Sequence, residues 1–269
     1  MIKRKDMLGL IDATAEEISE ILDTAANMKK LLKQGIKKLP HLEGCTATIL
    51  FYENSTRTRT SFELAAKYMG ASTINIAASS SSVAKGETLV DTGKTLDAMK
   101  NDFIIIRHPM GGAPYLLAKT VKASVLNAGD GMNEHPTQAL LDMCTMRERF
   151  GKIEGLKVAI LGDIKHSRVA KSDLFGLTKL GAEVKMFAPE TLIPKGIDRL
   201  GAKLCASREE AVEGADVVMG LRIQLERQQA GNFPSLNEYA EFYGVNEKVL
   251  SLASPDAIVM HPGPVNRGV

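Results

Sequence analysis

Short apolar runs alternate with helix-like segments along most of this chain, and this alternation constrains the fold more than any other feature. Strand-like runs occupy residues 47–52, 73–76, 103–107 and 124–127, and then residues 157–161, 183–187, 217–221 and 257–260. Helix-like segments lie near residues 61–69, 87–99, 115–119, 168–180 and Glu209. Such alternation predicts parallel sheets that are covered by helices on both faces. We therefore expect an α/β protein built from doubly wound parallel sheets.

Two domains are expected from the length of the chain and from one long helix pattern. The chain has 269 residues, which is more than one minimal core requires. Residues 136–150 form the helix pattern, with Pro136 in its first turn, and we interpret it as the bridge between two halves. The predicted domains are residues 1–135 and 136–269. Because ligands bind at the carboxyl ends of parallel strands and often between domains, we expect an active site in the interdomain cleft.

Composition excludes several classes of protein. The chain is 44% hydrophobic and 25% charged, which is typical of a soluble globular protein, and no window approaches the ~18 uninterrupted apolar residues of a membrane span. No apolar signal core follows the N-terminus, so a cytoplasmic location is expected. A net charge of +2 and the absence of Trp give no case for nucleic-acid binding. The 3 cysteines show no metal-ligand spacing, so we predict neither a disulfide framework nor a metal site.

One polar motif follows the first predicted strand directly: Ser55, Thr56, Arg57, Thr58 and Arg59. A helix-like pattern over residues 62–69 leaves it. Backbone N–H groups at a helix start attract anions, and guanidinium groups match phosphate oxygens two at a time. The alternative is that Ser55 only caps the helix and the arginines are surface charge. Five consecutive donors favour the prediction of a phosphate site.

Motifs spread over the chain resemble the carbamoyltransferase family. They are residues 51–62, Arg107-His108-Pro109, His135-Pro136-Thr137-Gln138 and His261-Pro262-Gly263-Pro264. Within the family, three further motifs look like those of bacterial aspartate carbamoyltransferase catalytic chains: Lys85-Gly86-Glu87-Thr88, residues 162–168 and residues 221–227. The match runs from near residue 5 to the last residue, but family members usually continue further, so we expect a C-terminally short member.

The resemblance implies an enzyme that transfers the carbamoyl group of carbamoyl phosphate to the amine of L-aspartate, giving N-carbamoyl-L-aspartate and phosphate for pyrimidine synthesis. It implies no metal and no cofactor, and the Gly162-Asp163 turn lacks the G-x-G-x-x-G of a dinucleotide site. The residues implied to bind carbamoyl phosphate are Ser55, Thr56, Arg57, Thr58, Arg107, His135, Gln138, Pro262 and Gly263. Among these, Thr56, Arg107 and His135 would stabilise the oxyanion, and Gln138 would hold the carbamoyl amide. The alternative for His135 is that it only closes a turn.

The acceptor site follows from the same resemblance. Arg168 and Arg222 would clamp the two carboxylates of aspartate, with Gln224 as an amide donor. Ser81 and Lys85 would reach the active site of a neighbouring subunit, which implies a homotrimer with shared sites. Lys85 is also a candidate for removing the amine proton, with the departing phosphate as the other candidate. The alternatives are that Arg168 pairs with an acid and that residues 79–85 form a solvated linker.

Some charged residues in these motifs are expected to orient others. Glu53, Arg59, Asp163 and Glu226 are the residues in this group. Two rival functions stay open: an ornithine carbamoyltransferase, which shares the first-domain motifs, and a non-catalytic assembly homologue, suggested by the short C-terminus. A regulatory or dihydroorotase subunit also stays open as a partner.

Overall fold

The computed structural model describes residues 3–77, 85–224 and 235–265. The chain divides into two compact units. The first unit comprises Met1–Asp12 and Glu16–Thr137, and the second comprises Ala13–Ala15 and Gln138–Val269. The sequence analysis did not anticipate that a short N-terminal segment groups with the second unit. None of the described helices is both long enough and apolar enough to cross a membrane.

The described part of the first unit contains a four-stranded parallel sheet in the order β2-β1-β3-β4. Its strands are β1 (Thr46–Phe51), β2 (Ser72–Ala77), β3 (Phe103–His108) and β4 (Ser124–Asp130). Its helices are α1 (Ala15–Lys33), whose first residue belongs to the second unit, α2 (Thr56–Tyr68), α3 (Leu89–Ala98) and α4 (Ala113–Ala118).

The inner strands β1 and β3 of this first sheet are buried on both faces. Alternate strand residues Leu50, Ile104 and Ile106 join Leu96 of α3 and Leu117 of α4 in one core cluster. Their neighbours in the same strands, including Ile49, Phe51 and Ile105, join Ala66 of α2 in another. This division follows from the two-residue period of a strand, and it explains why the strands of a two-sided parallel sheet are continuous apolar runs.

The described part of the second unit contains a five-stranded parallel sheet in the order β7-β6-β5-β8-β9. Its strands are β5 (Lys157–Leu161), β6 (Glu183–Phe187), β7 (Ala202–Leu204), β8 (Val217–Gly220) and β9 (Ile258–Met260). Its helices are α5 (Pro136–Phe150), which begins in the first unit, α6 (Arg168–Lys179), α7 (Arg208–Val212), α8 (Leu236–Tyr243) and α9 (Glu247–Leu250). Val212 of α7 and Val249 of α9 share a core cluster with Ala159, Leu161 and Val218.

The predicted fold class is confirmed, since both units are α/β with parallel sheets. The strand order reverses between β1 and β3 in the first unit and between β5 and β8 in the second. Ligands of open α/β sheets bind beside such reversals, at the carboxyl ends of the strands. In each unit, the loops after these strands are therefore where a site is expected.

Candidate functional site

In the first unit, a pocket of about 310 Å³ opens at the start of α2, directly after β1. Asn54, Ser55, Thr56, Arg59 and Thr60 line it. Ser55 is the N-cap residue of α2, yet its side chain accepts no capping hydrogen bond from the described residues. The alternative reading of Ser55 as a simple helix cap therefore does not fit this geometry. The hydroxyl at the pocket wall is a donor that the helix itself does not use.

Arg107, at the end of β3, is fixed beside the helix start by three acceptors. Its Nε donates to Glu53 Oε2 at 3.1 Å in an ion pair. Its Nη1 donates to Thr58 Oγ1 at 3.4 Å and to the Ala128 carbonyl oxygen at 3.3 Å. The guanidinium is thus held where an anion at the α2 N-terminus would meet a fixed positive charge.

Arg57 and Arg59, the two arginines of the motif that follows β1, differ in their surroundings. Arg57 is exposed on the first turn of α2, as is Thr56. The Arg59 guanidinium carbon lies 5.6 Å from the centroid of the Phe51 ring, which is a cation–π contact. Because this stacking fixes Arg59 against the sheet, the geometry agrees with the expectation that Arg59 has a supporting role.

His108 follows Arg107 and packs against an aromatic ring. The His108 and Tyr52 ring centroids are 4.6 Å apart. Burial lowers the pKa of His108 because it disfavours the imidazolium form. The Met110 N–H donates to His108 Nδ1 at 3.0 Å, which a neutral imidazole can accept. We therefore infer that His108 packs and orders the end of β3 and the loop that follows it.

The loop between β4 and α5, which carries His135, is organised by the buried carboxylate of Asp130. Asp130 Oδ1 accepts from Asn127 Nδ2 at 2.9 Å and from the Glu134 N–H at 3.0 Å. Asp130 Oδ2 accepts from the Gly112 N–H at 2.7 Å and from Asn133 Nδ2 at 3.0 Å. The loops after β3 and β4 are thereby tied together.

His135 itself is 7% exposed, and its Nδ1 lies 3.5 Å from Thr137 Oγ1. Gly131 allows the loop to pass close to its neighbour, because its φ is +50° and an added Cβ would lie 2.7 Å from the Pro109 carbonyl oxygen. The loop that presents His135 is thus determined by long-range contacts.

In the second unit, Asp163 links the loops that follow β5 and β8. Asp163 is fully buried, and its Oδ1 lies 2.8 Å from His166 Nδ1 and accepts from the His166 N–H at 3.2 Å. Its Oδ2 accepts from the Gln224 N–H at 3.1 Å. Gln224 Nε2 in turn donates to the His166 carbonyl oxygen at 2.9 Å. The expected orienting role of Asp163 fits this arrangement.

Both arginines predicted for the acceptor site lie on these same loops. Arg168 is the first residue of α6 and is 4% exposed. Arg222 is half-buried after β8, and its Nη1 donates to the Ile223 carbonyl oxygen at 3.4 Å. Gly162 has a φ of +122°, and an added Cβ would lie 2.3 Å from the Leu221 carbonyl oxygen, so glycine is required where the two loops meet.

The other residues predicted from the sequence lie after β9, before α3 or outside the described residues. Pro262 and Gly263 follow β9, where the Gly263 N–H donates to His261 Nδ1 at 2.7 Å and the Gly263–Pro264 peptide is cis. Lys85 is exposed. Ser81 and Glu226 lie outside the described residues. Within the described residues, no group of three or more His, Cys, Asp or Glu side chains could hold a metal ion.

Sequence reasoning missed several buried carboxyl groups, including those of Asp130, Asp142 and Asp173. Asp130 organises the His135 loop, while Asp142 on α5 and Asp173 on α6 occupy buried positions of their helices. The signal for the latter two was present in the sequence, because each Asp stands at helical spacing within an apolar stripe. Asp130 gave no such signal, since its partners are set by loop geometry.

Comparison with known proteins identifies the class. Residues 5–148 match the family model described as the carbamoyl-P binding domain of aspartate/ornithine carbamoyltransferase, and residues 154–269 match its Asp/Orn binding domain. The chain therefore belongs to the aspartate/ornithine carbamoyltransferase family. Its similarity to one branch is high: it is 64% identical to the aspartate carbamoyltransferase catalytic subunit of Ruminiclostridium cellulolyticum, over 100% of this chain and 86% of that protein. The corresponding subunit of Acetivibrio thermocellus is 62% identical, with the same coverage.

Solved structures agree on the fold. Aspartate transcarbamoylase from Trypanosoma cruzi, in complex with carbamoyl aspartate and phosphate, superposes with a TM-score of 0.87 at 32% identity, covering 97% of this chain and 85% of that chain. Ornithine carbamoyltransferase from Pyrococcus furiosus gives the same TM-score of 0.87 at 34% identity, covering 98% and 86%. The backbone alone thus does not separate the two acceptor specificities.

Proposed function

We propose that this chain catalyses the transfer of the carbamoyl group from carbamoyl phosphate to the amine of L-aspartate, giving N-carbamoyl-L-aspartate and phosphate. The observation that carries the proposal is the pair of arginines, Arg168 and Arg222, on the loops after β5 and β8 of the second unit. An acceptor with two carboxylates needs two cations, whereas the side chain of ornithine carries an amine. The 64% identity to an aspartate carbamoyltransferase catalytic subunit supports the same choice.

Most of the residues that bind the donor in this proposal belong to the first unit. Ser55, Thr56, Arg57 and Thr58 hold the phosphate group, and the pocket at the α2 N-terminus supports this role. Arg107, Thr56 and His135 donate to the carbonyl oxygen and stabilise the oxyanion when the amine attacks. Further donor contacts come from Gln138, Pro262 and Gly263. No protein nucleophile is needed, because positioning and oxyanion stabilisation can lower the barrier of this acyl transfer.

The acceptor is bound by the second unit. Arg168 and Arg222 hold the two carboxylates, and Gln224 adds an amide donor. The aspartate amine attacks the carbonyl carbon, a tetrahedral oxyanion forms, and the bond between carbon and the phosphate oxygen then breaks. The amine proton passes to Lys85 or to the departing phosphate. We assign most donor contacts to residues 1–135 and most acceptor contacts to residues 136–269.

We also propose a homotrimer in which Ser81 and Lys85 serve the site of a neighbouring subunit, a role in pyrimidine biosynthesis, and a cytoplasmic location. Resemblance to the family supports each of these. A regulatory or dihydroorotase subunit stays open as a partner.

Carbamoylation of aspartate and of ornithine by the purified protein tests the proposal directly. We expect product from aspartate and none from ornithine. Arg57→Ala should lower kcat/KM by roughly 100-fold, because it removes a charged donor from the reacting group. Arg149→Ala is the matched control, since Arg149 is an exposed arginine that pairs with Asp256 and should leave the rate unchanged.

Other results would contradict the proposal in different ways. Product from ornithine instead of aspartate would identify the rival specificity. A protein that binds no carbamoyl phosphate and releases no phosphate would fit the non-catalytic homologue.

A further inference from the structure

Two acidic side chains occupy buried positions on α5 and α6, which are consecutive helices in the sequence. On α5, Asp142 lies in a buried stripe with Ala139, Met143 and Met146, and it is 5% exposed. On α6, Asp173 lies in a buried stripe with Ala170, Leu174 and Leu177, and it is fully buried. Burying a carboxyl group without compensation is unfavourable, so an apolar side chain would be expected at each position. A local rule broken in this way is a recognised mark of a functional position.

The hydrogen bonds of these carboxyl groups are incomplete. Asp142 Oδ1 accepts from Gln138 Nε2 at 3.1 Å. Asp142 Oδ2 and both oxygens of Asp173 are buried and have no hydrogen-bond partner in the described part of the chain. The hydrogen bond that the Asp142 carboxyl group accepts from the described residues is thus with the amide assigned above to carbamoyl phosphate.

Burial favours the protonated form of both carboxyl groups. Burial raises the pKa of Asp142 to about 7, against the opposing effect of the Gln138 hydrogen bond. Burial raises the pKa of Asp173 well above its usual range, and the charge of Asp142 raises it further. Besides burial, the hydrogen bond from Gln138 acts on the pKa of Asp142, and the charge of Asp142 acts on the pKa of Asp173. Both shifts are in the direction that favours the protonated carboxyl group.

A glutamine amide presents a donor on one side and an acceptor on the other, so the group that binds one side decides what the other side offers. Ionised Asp142 can only accept, and it turns the NH2 group of Gln138 toward itself. The Oε1 atom of Gln138 is then available to an N–H donor. Protonated Asp142 can donate to Oε1 instead, which reverses the amide.

We propose that Asp142 is a positioning residue that sets the orientation of the Gln138 amide so that its oxygen accepts from the NH2 group of carbamoyl phosphate. The part of this inference that concerns the substrate rests on the proposed function. The part that concerns the amide of Gln138 does not.

A resonance of the Gln138 side chain tests the orientation without reference to activity. The 15N-labelled side-chain NH2 signal of Gln138 is identified by its loss in Gln138→Ala. In the unaltered protein the signal should shift with pH, and the midpoint of this shift should lie near the Asp142 pKa of about 7. Asp142→Ala and Asp142→Asn should both abolish that titration. Asp216→Asn is the matched control, because Asp216 Oδ2 accepts from the Lys157 N–H at 2.9 Å elsewhere in the second unit.

Steady-state kinetics test the link to the substrate. Asp142→Ala should raise KM for carbamoyl phosphate or lower kcat by at least about 10-fold. Asp142→Asn keeps an acceptor of the same shape, so it should retain activity within about 3-fold, with no titration between about pH 6 and pH 8. On a Gln138→Ala background, Asp142→Ala should have no further effect, because its action passes through Gln138.

The outcomes separate the two proposals. The inference is overturned if the Gln138 signal changes neither with pH nor in Asp142→Ala. It is also overturned if the effects of Gln138→Ala and Asp142→Ala on kcat/KM multiply in the double variant. A responsive signal in a protein that carbamoylates neither acceptor supports the orienting role of Asp142 while rejecting the proposed reaction.

Discussion

At the scale of single residues, the side chains proposed to touch substrate are held by carboxylates that do not. Glu53 holds Arg107 by an ion pair, and Asp163 holds Gln224 and the His166 imidazole. Asp130 accepts hydrogen bonds from both loops around His135. An ionised carboxylate accepts at several points and donates at none, so it can fix several N–H groups in one orientation. Substituting these residues should therefore affect affinity through geometry.

Asp163→Asn should raise KM for aspartate by roughly 10-fold to 100-fold while carbamoyl phosphate binding stays unchanged. The physical reason is that the asparagine NH2 group would face an N–H donor, either of His166 or of Gln224. Initial-rate measurements over a range of aspartate concentrations, with equilibrium binding of carbamoyl phosphate, provide the check. Asp216→Asn, which loses a charge at a half-buried position of the second unit, is the control. An unchanged KM for aspartate would show that Asp163 does not position the acceptor site.

At the scale of elements, the start of α2 differs from other helix starts in the same chain. Ser207 begins α7 and accepts from the Glu210 N–H at 3.0 Å, and Ser235 begins α8 and accepts from the Glu238 N–H at 3.1 Å. Ser55 begins α2 in the same extended backbone conformation without such a bond from the described residues. The same residue type thus stabilises α7 and α8 and lines a pocket in front of α2.

A pair of serine substitutions should separate these two uses. Ser207→Ala should lower the free energy of unfolding by about 0.5–2 kcal/mol and leave KM for carbamoyl phosphate unchanged, because it removes a cap. Ser55→Ala should leave the free energy of unfolding within about 0.5 kcal/mol and weaken carbamoyl phosphate binding. Urea unfolding and equilibrium binding measure the two quantities. If Ser55→Ala destabilised the protein as much as Ser207→Ala and bound the ligand normally, Ser55 would be a cap only.

The element boundaries show where local pattern fails. The sequence predicted the second helix from about residue 61, whereas α2 begins at Thr56. The turn between these positions carries no apolar residue, so it gives no hydrophobic period to detect. The short strand β7 (Ala202–Leu204) was not predicted, since only its first residue is buried. Helices α8 and α9 were missed as well, because each is short and its packing is decided by the tertiary structure.

At the scale of the whole molecule, the buried carboxyl groups link stability to pH. The pKa of Asp142 is raised from 3.8 to about 7 by burial, and the pKa of Asp173 is raised well above 3.8. Between the unfolded and folded pKa values, the folded chain binds more protons than the unfolded chain. Stability should therefore fall as pH rises through this interval.

Asp173→Asn should reduce the loss of stability that accompanies a rise in pH. The variant should melt a few °C above the unaltered protein at about pH 8, where the buried carboxyl group is penalised most, and the difference should shrink toward about pH 5. Thermal unfolding at several pH values, with Asp216→Asn as the matched loss of one charge, provides the measurement. A variant that is destabilised more at the higher pH than at the lower would show that Asp173 is a stabilising anion, contrary to the assignment.

The sequence by itself determined the alternation of strands and helices, the parallel α/β class and the motif that follows each strand. These features depend on periodicity and on neighbours along the chain, so they can be predicted without the fold. The resemblance carried the residue roles, and those roles remain proposals.

Only the tertiary structure decided which strands pair, and hence that the loops after β1 and β3, and after β5 and β8, lie beside a reversal of strand order. It also decided the partners of buried carboxyl groups such as Asp130, Asp163 and Asp142. The physical reason is that strand order and most of these hydrogen bonds join residues that are distant in sequence. Even for the local pair of Asp142 and Gln138, burial sets the energy, and burial is a property of the whole fold.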